Sequence, residues 1–166
     1  MNAQENAPVR CEHTLPPIYD ENSKVLILGS FPSPRSRKEG MYYAHPQNRF
    51  WKALAAALGE KEPVSAQQRR EFALKKGIAL YDVAESCDIK GAADSTLKNV
   101  RSADLSVFKA CKIRKVYVTG KTAAKLYKKF FGEGAVTLPS PSPANCAVPL
   151  QKLVESYREI AEYLDV

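Results

Sequence analysis

A chain of 166 residues, 45% apolar and 26% charged with 8 glycines, has the length of one globular domain and a composition that excludes disordered, collagen-like and fibrous classes. No apolar run approaches the roughly 20 residues of a membrane span, and the polar opening MNAQENAPVR lacks a secretory apolar stretch, so a cytoplasmic protein without membrane association is expected. The formal charge of +7 favours a polyanionic partner, because each cation placed at a phosphate releases counterions.

In chain order, residues 1–10 read as a flexible tail and residues 11–166 as a single domain. Leu15, Pro16, Pro17, Ile18 and Tyr19 suit an extended lead-in. KVLILGS (24–30) is a continuous apolar run closed by glycine, the pattern of a strand buried on both faces of a parallel sheet. Phe50, Trp51, Leu54, Ala55 and Leu58 then recur at helical spacing up to the stop signal of Gly59. SAQQRREFALKK (65–76) is a second helix, IALYDV (78–83) a strand, SADLSVFKAC (102–111) a helix candidate and RKVYVTG (114–120) a third strand. TAAKLYKKFF (122–131) is helical, AVTLPS (135–140) is a fourth strand, and a last helix carries Leu150, Leu153, Val154, Tyr157, Ile160, Ala161 and Leu164 on one stripe. Strands alternating with helices predict an α/β fold with a parallel sheet covered on both faces.

In such a sheet, ligands gather outside the carboxyl ends of the strands. The segments there are GSFPSPRS after the first strand, DVAESCDIK after the second and PSPSPAN after the fourth. The first and last are serine- and proline-rich loops of restricted backbone, suited to present N–H and hydroxyl groups to an anion at small entropic cost.

Several signals have plain structural readings. TGKTAAK (119–125) resembles the end of a phosphate loop, but the glycine required five residues before Gly120 is Lys115. Lys121, Lys125 and Lys128 on that helix suit a solvated face. Asp82 and Asp88 are candidates for an acid–base carboxylate pair, although loop aspartates commonly cap helices. His45 suits a loop-shaping hydrogen bond better than proton transfer, and His13 is ambiguous. Cys11, Cys87, Cys111 and Cys146 form no C-x-x-C pair, so free thiols are expected rather than a zinc or iron–sulfur site.

Asn48, in HPQNRFW (45–51), has two readings. As an N-cap its amide is satisfied by backbone. If Pro46 instead occupies the first helical turn, Asn48 shares a face with Trp51 and Ala55 near the strand tips, where a buried amide needs partners. Phe31, Tyr42 and Tyr43 add rings nearby, and Arg35, Arg37, Lys38 and Arg49 add charge. Rings to stack a base with cations for phosphates is the combination of nucleic-acid binders.

YAHPQNRFWK (43–52), following the strand that ends in GSFPS, closely resembles the corresponding block of the uracil-DNA glycosylase superfamily. GSFPSPRS with the later LPSPSPAN is most similar to its hypoxanthine-DNA glycosylase (DNA-deoxyinosine glycosylase) family. The resemblance spans roughly residues 15–165. It implies a three-layer αβα fold with a central four-stranded parallel sheet. It also implies a monofunctional DNA glycosylase that flips a deaminated base from double-stranded DNA and hydrolyses its N-glycosidic bond as a monomer, with no metal or cofactor.

Carried over residue by residue, the resemblance puts Gly29, Ser30, Phe31, Pro32 and Ser33 beside the base as backbone donors, and Tyr43 where the base stacks. Arg35 and Arg37 lie toward the DNA, as does the second motif, Ser140, Pro141, Ser142, Pro143, Ala144 and Asn145, with Pro143 and Ala144 as a blunt wedge. Much of the superfamily carries an acidic residue or asparagine at the place of Phe31 to position water. The hypoxanthine family shares its loss, and the resemblance transfers the catalytic role to Asn48. A uracil or mismatch-specific glycosylase is the near alternative, and a non-catalytic nucleic-acid-binding domain the distant one.

Overall fold

The computed structural model describes residues 7–91 and 96–165. Two sheets organise the chain. The larger contains β2 (Val25–Gly29), β3 (Ile78–Asp82), β6 (Lys115–Thr119) and β7 (Ala135–Leu138), all parallel, in the order β3-β2-β6-β7. This is the four-stranded parallel sheet that the alternation of elements predicts.

The alternation of side chains across this sheet divides the apolar residues into two cores. Val25, Ile27, Ile78, Leu80 and Tyr117 face one layer, built from α2 (Phe50–Ala57), α3 (Ala66–Lys76) and α5 (Leu150–Tyr157). Leu26, Leu28, Ala79 and Val118 face the other, closed by α4 (Lys121–Phe131) and a 3-10 turn over Ser106–Ala110. Every residue of β2 is buried, as a strand covered on both faces requires.

Local signals set the helix ends. Ser65 and Gln68 form a capping box at the start of α3, and Gly77 ends it in the left-handed conformation at φ 79°. The lead-in packs as expected: Leu15 and Ile18 are buried, and Ile18 bridges to Leu80.

The smaller sheet departs from the sequence reading. β1 (Val9–Glu12), β4 (Ala84–Ile89) and β5 (Lys98–Ser102) form an antiparallel sheet in the order β1-β4-β5. Val9 and Arg10, read as tail, open β1, and DVAESCDIK, read as a loop, is mostly β4. β4 pairs with a segment more than 70 residues earlier, and its mixed composition carries no period-2 signal. The helix candidate at 102–111 resolves into the end of β5 and the 3-10 turn, and the last helix passes from α-helix to 3-10 helix over Arg158–Tyr163. The loop after β2 folds at once into a short helix, α1 (Pro34–Glu39).

Candidate active site

The carboxyl ends of the parallel strands hold the site. Gly29 pairs with Asp82 in register, and Thr119 ends β6 on the other side. A Cβ on Gly29 would stand 2.5 Å from Asp82 Oδ1, 3.3 Å from Tyr43 Oη and 3.7 Å from Thr119 Oγ1. Three oxygen-bearing side chains therefore converge over one bare Cα. The carbonyls of Gly29 and Ser30 accept from the N–H groups of Val83 and Ala84, which welds the first motif to the passage from β3 to β4.

The residues of that motif divide by role. Ser30 and Pro32 are buried. Phe31 is 6% exposed and packs with Ala84, Cys87 and Ile89, anchoring the small sheet, so its side chain is core and its backbone alone borders the site. The Arg37 guanidinium lies 5.5 Å from the Phe31 ring centroid, a cation–π contact, with its buried Nε unpartnered. Ser33 caps α1, accepting from Ser36 N–H at 3.1 Å. Arg35 is exposed and paired with Glu39 one helical turn on.

Tyr43 holds a left-handed backbone at φ 55°, uncommon for a non-glycine residue. Its ring stacks on Phe50, with centroids 3.9 Å apart and planes at 21°, and its hydroxyl is 3.0 Å from Thr119 Oγ1. His45 Nδ1 accepts from Gln47 N–H, the loop-shaping bond expected of it. Pro46 lies in this turn and not in a helix, since α2 begins at Phe50. Asn48 therefore sits ahead of the helix, half-buried, its Oδ1 accepting the Phe50 N–H at 2.9 Å. The N-cap of α2 is Arg49, which makes no side-chain cap bond, so Asn48 closes a local Asx turn one residue ahead of the cap and is not the N-cap of the sequence reading.

Arg49 is not a free cation for phosphate. Its guanidinium donates to the carbonyls of Val148, Ser142 (3.3 Å) and Asn145 (3.0 Å), and its N–H donates to Pro141 carbonyl at 3.1 Å. One side chain thus stitches the Asn48 loop to the second motif. That motif is internally braced: Ser140 Oγ accepts from Ser142 N–H, Ser142 Oγ from Ala144 N–H, and Asn145 Nδ2 donates to Ser140 carbonyl. Pro141 is buried, whereas Pro143 and Ala144 form the exposed tip. Gly120 lies beneath Ser140, where a Cβ would come within 3.1 Å at φ 94°, so the GKT glycine serves loop packing.

The carboxylates do not pair. Asp88 meets Arg10 and Asn99 on the small sheet, and its carboxyl is held below the usual range, first by the Asn99 hydrogen bond and then by Arg10. Asp82 instead meets His13, with Nε2 and Oδ2 2.8 Å apart and the two side chains 2% and 6% exposed. Sequence reasoning missed this pair because His13 and Asp82 are 69 residues apart, and only the unforeseen β1 brings them together. Among the described residues no group of three or more metal-type ligands occurs, and all four cysteines are free thiols.

The strand ends thus bring together a bare glycine, a stacked tyrosine and a braced serine-proline loop, on the fold of a base-excising DNA glycosylase. The family model for the uracil DNA glycosylase superfamily matches residues 16–165, and the chain belongs to that superfamily, whose members hydrolyse N-glycosidic bonds without a second lyase step. It is 35% identical over 135 residues to a hypoxanthine DNA glycosylase of Methanosarcina acetivorans, covering 78% of this chain and 85% of that protein. It is 34% identical over 113 residues to one of Methanosarcina barkeri, covering 66% and 72%. A solution NMR structure from M. acetivorans, of a protein provisionally assigned as a uracil DNA glycosylase, superposes with a TM-score of 0.74 at 27% identity, over 92% of this chain and 99% of that one.

Proposed function

We propose that this chain excises hypoxanthine from double-stranded DNA, with Asn48 as the catalytic amide. The observation that supports the reading is the Arg49 clamp, which ties the loop carrying Asn48 to the loop whose exposed tip is Pro143 and Ala144, so that the two motifs can act on one lesion. The two Methanosarcina relatives named for hypoxanthine support the choice of base.

Loss of the base gives a deoxyribose with oxocarbenium character and a purine anion, so the site must favour charge of both signs. With Oδ1 of Asn48 engaged by the Phe50 N–H, the Nδ2 donors are the groups left to meet the water oxygen or the departing purine. The flipped base stacks on Tyr43 over the backbone of Gly29, Ser30, Phe31, Pro32 and Ser33. Ser140, Pro141, Ser142, Pro143, Ala144 and Asn145 approach the strand, and Arg35 and Arg37 contribute positive field. Single-turnover incubation with duplexes carrying one deoxyinosine or one deoxyuridine, followed by alkaline cleavage of abasic sites, tests this. Faster cleavage at deoxyinosine is expected. Preference for deoxyuridine makes the chain a uracil glycosylase, and binding without cleavage of either makes it a non-catalytic binding domain.

A further inference from the structure

The mechanism above leaves one buried ionisable pair unused. Asp82 ends β3 opposite Gly29, with Oδ1 across the bare Cα and beside Tyr43 Oη. Its Oδ2 is held by His13 Nε2. The His13 ring is enclosed by Tyr81 at 4.7 Å and by Phe31 and Tyr42, each at 6.1 Å, and its buried Nδ1 has no partner. Its backbone N–H donates to Glu85 carbonyl at 2.8 Å, so β1 and β4 fix the ring in place. Burying an ionisable pair costs free energy, and a half-satisfied imidazole adds to it, which makes a purely structural role expensive.

We propose that His13 is a positioning residue that locks Asp82 as a fixed hydrogen-bond acceptor for the ring N–H of the flipped base. This rests on the excision reading given above. Deamination turns a ring nitrogen from acceptor to donor: adenine N1 and cytosine N3 offer lone pairs, whereas hypoxanthine N1 and uracil N3 carry hydrogen. A carboxylate accepts from the second kind and repels the lone pair of the first. With Oδ2 tied to His13, Oδ1 is held on the Gly29 side, where the Tyr43 hydroxyl also approaches. The pair thereby rejects adenine and cytosine, the undamaged parents of hypoxanthine and uracil, and leaves guanine and thymine, which also carry a ring N–H, to be excluded by other contacts, while His13 never touches the substrate.

The test compares wild type, His13→Gln, His13→Leu and Asp82→Asn in single-turnover excision of deoxyinosine and in affinity for a duplex with a stable abasic-site analogue, which has no base to read. Glutamine can place an amide donor near the position of Nε2, whereas leucine cannot. The expected result is an excision rate about 30-fold lower in His13→Leu and Asp82→Asn, the effect of losing a hydrogen bond to a charged group, with recovery to within about 5-fold in His13→Gln. Abasic-duplex affinity is expected to stay unchanged in every variant. Unaltered excision in His13→Leu, or excision and abasic affinity falling together, overturns the proposal while leaving the excision reading intact. Wild type that excises neither deoxyinosine nor deoxyuridine overturns both. Should His13→Leu fail to fold, His13→Gln and Asp82→Asn decide the matter: near-wild-type excision in Asp82→Asn overturns the proposal.

Discussion

Arg49 donates to the Asn145 carbonyl at 3.0 Å, joining two loops 96 residues apart in the chain. The same guanidinium reaches Ser142 and Val148, so its removal strands three carbonyls at once. Arg49→Ala is expected to lower stability by about 2–3 kcal/mol and to weaken duplex binding at least about tenfold. Arg49→Lys keeps the charge without the fork and should recover only part of the binding. Urea unfolding with fluorescence anisotropy on a labelled duplex checks both; equal binding by Arg49→Lys and wild type argues against the clamp.

Asn48 closes a turn ahead of α2 by accepting the Phe50 N–H and, on the proposed mechanism, serves as catalyst, and Asn48→Ser separates the two. Serine keeps an oxygen that can accept the N–H two residues on but lacks the amide. Stability is expected to change by less than about 1 kcal/mol, while single-turnover excision falls by about 100-fold or more, the scale of losing one transition-state donor. Asn48→Ser with wild-type excision reduces Asn48 to a turn-closing residue.

Gly29→Ala would place a methyl carbon 2.5 Å from Asp82 Oδ1, closer than any real contact. The strand end must shift, at a cost of about 1–3 kcal/mol. Excision should fall further than duplex binding, because the methyl intrudes between Asp82, Tyr43 and Thr119 and leaves the serine-proline loop in place. Equal losses in both assays would mean a general collapse of the fold.

The extent to which this was legible in sequence follows from range. β2, β3 and β6 are apolar runs whose burial is written in consecutive residues, and α3 carries its own cap and stop. The serine-proline loop and HPQNRFW were legible because their residues are adjacent. β1, β4 and β5 were not, since each is short, mixed in composition and a strand only by virtue of its partner. His13 and Asp82 meet across that unforeseen sheet, and Arg49, which reads as a surface cation, turns inward because the second motif offers it carbonyls that no local pattern announces. The burial of Phe31 beneath the small sheet was equally hidden, since it needed β4 to exist.

Ala144 stands at the exposed tip of the serine-proline loop with its N–H held by Ser142 Oγ. Ala144→Asp leaves that bond in place and sets a negative charge against the phosphates. Stability is expected to change by less than about 0.5 kcal/mol, as for most surface substitutions. Duplex affinity should fall at least about tenfold at low salt, with the gap to wild type narrowing as salt screens the repulsion. A salt titration of duplex binding, comparing the two proteins, is the check. An unchanged affinity at low salt removes the tip from the DNA interface.

The most direct measurement is of the released base itself. Wild-type protein is incubated with a duplex carrying a single deoxyinosine, and free hypoxanthine is quantified by liquid chromatography and mass spectrometry alongside abasic sites. One hypoxanthine released per abasic site, with intact strands before alkali, is the expected result. Intact deoxyinosine under conditions where uracil is freed from a matching deoxyuridine duplex would contradict it.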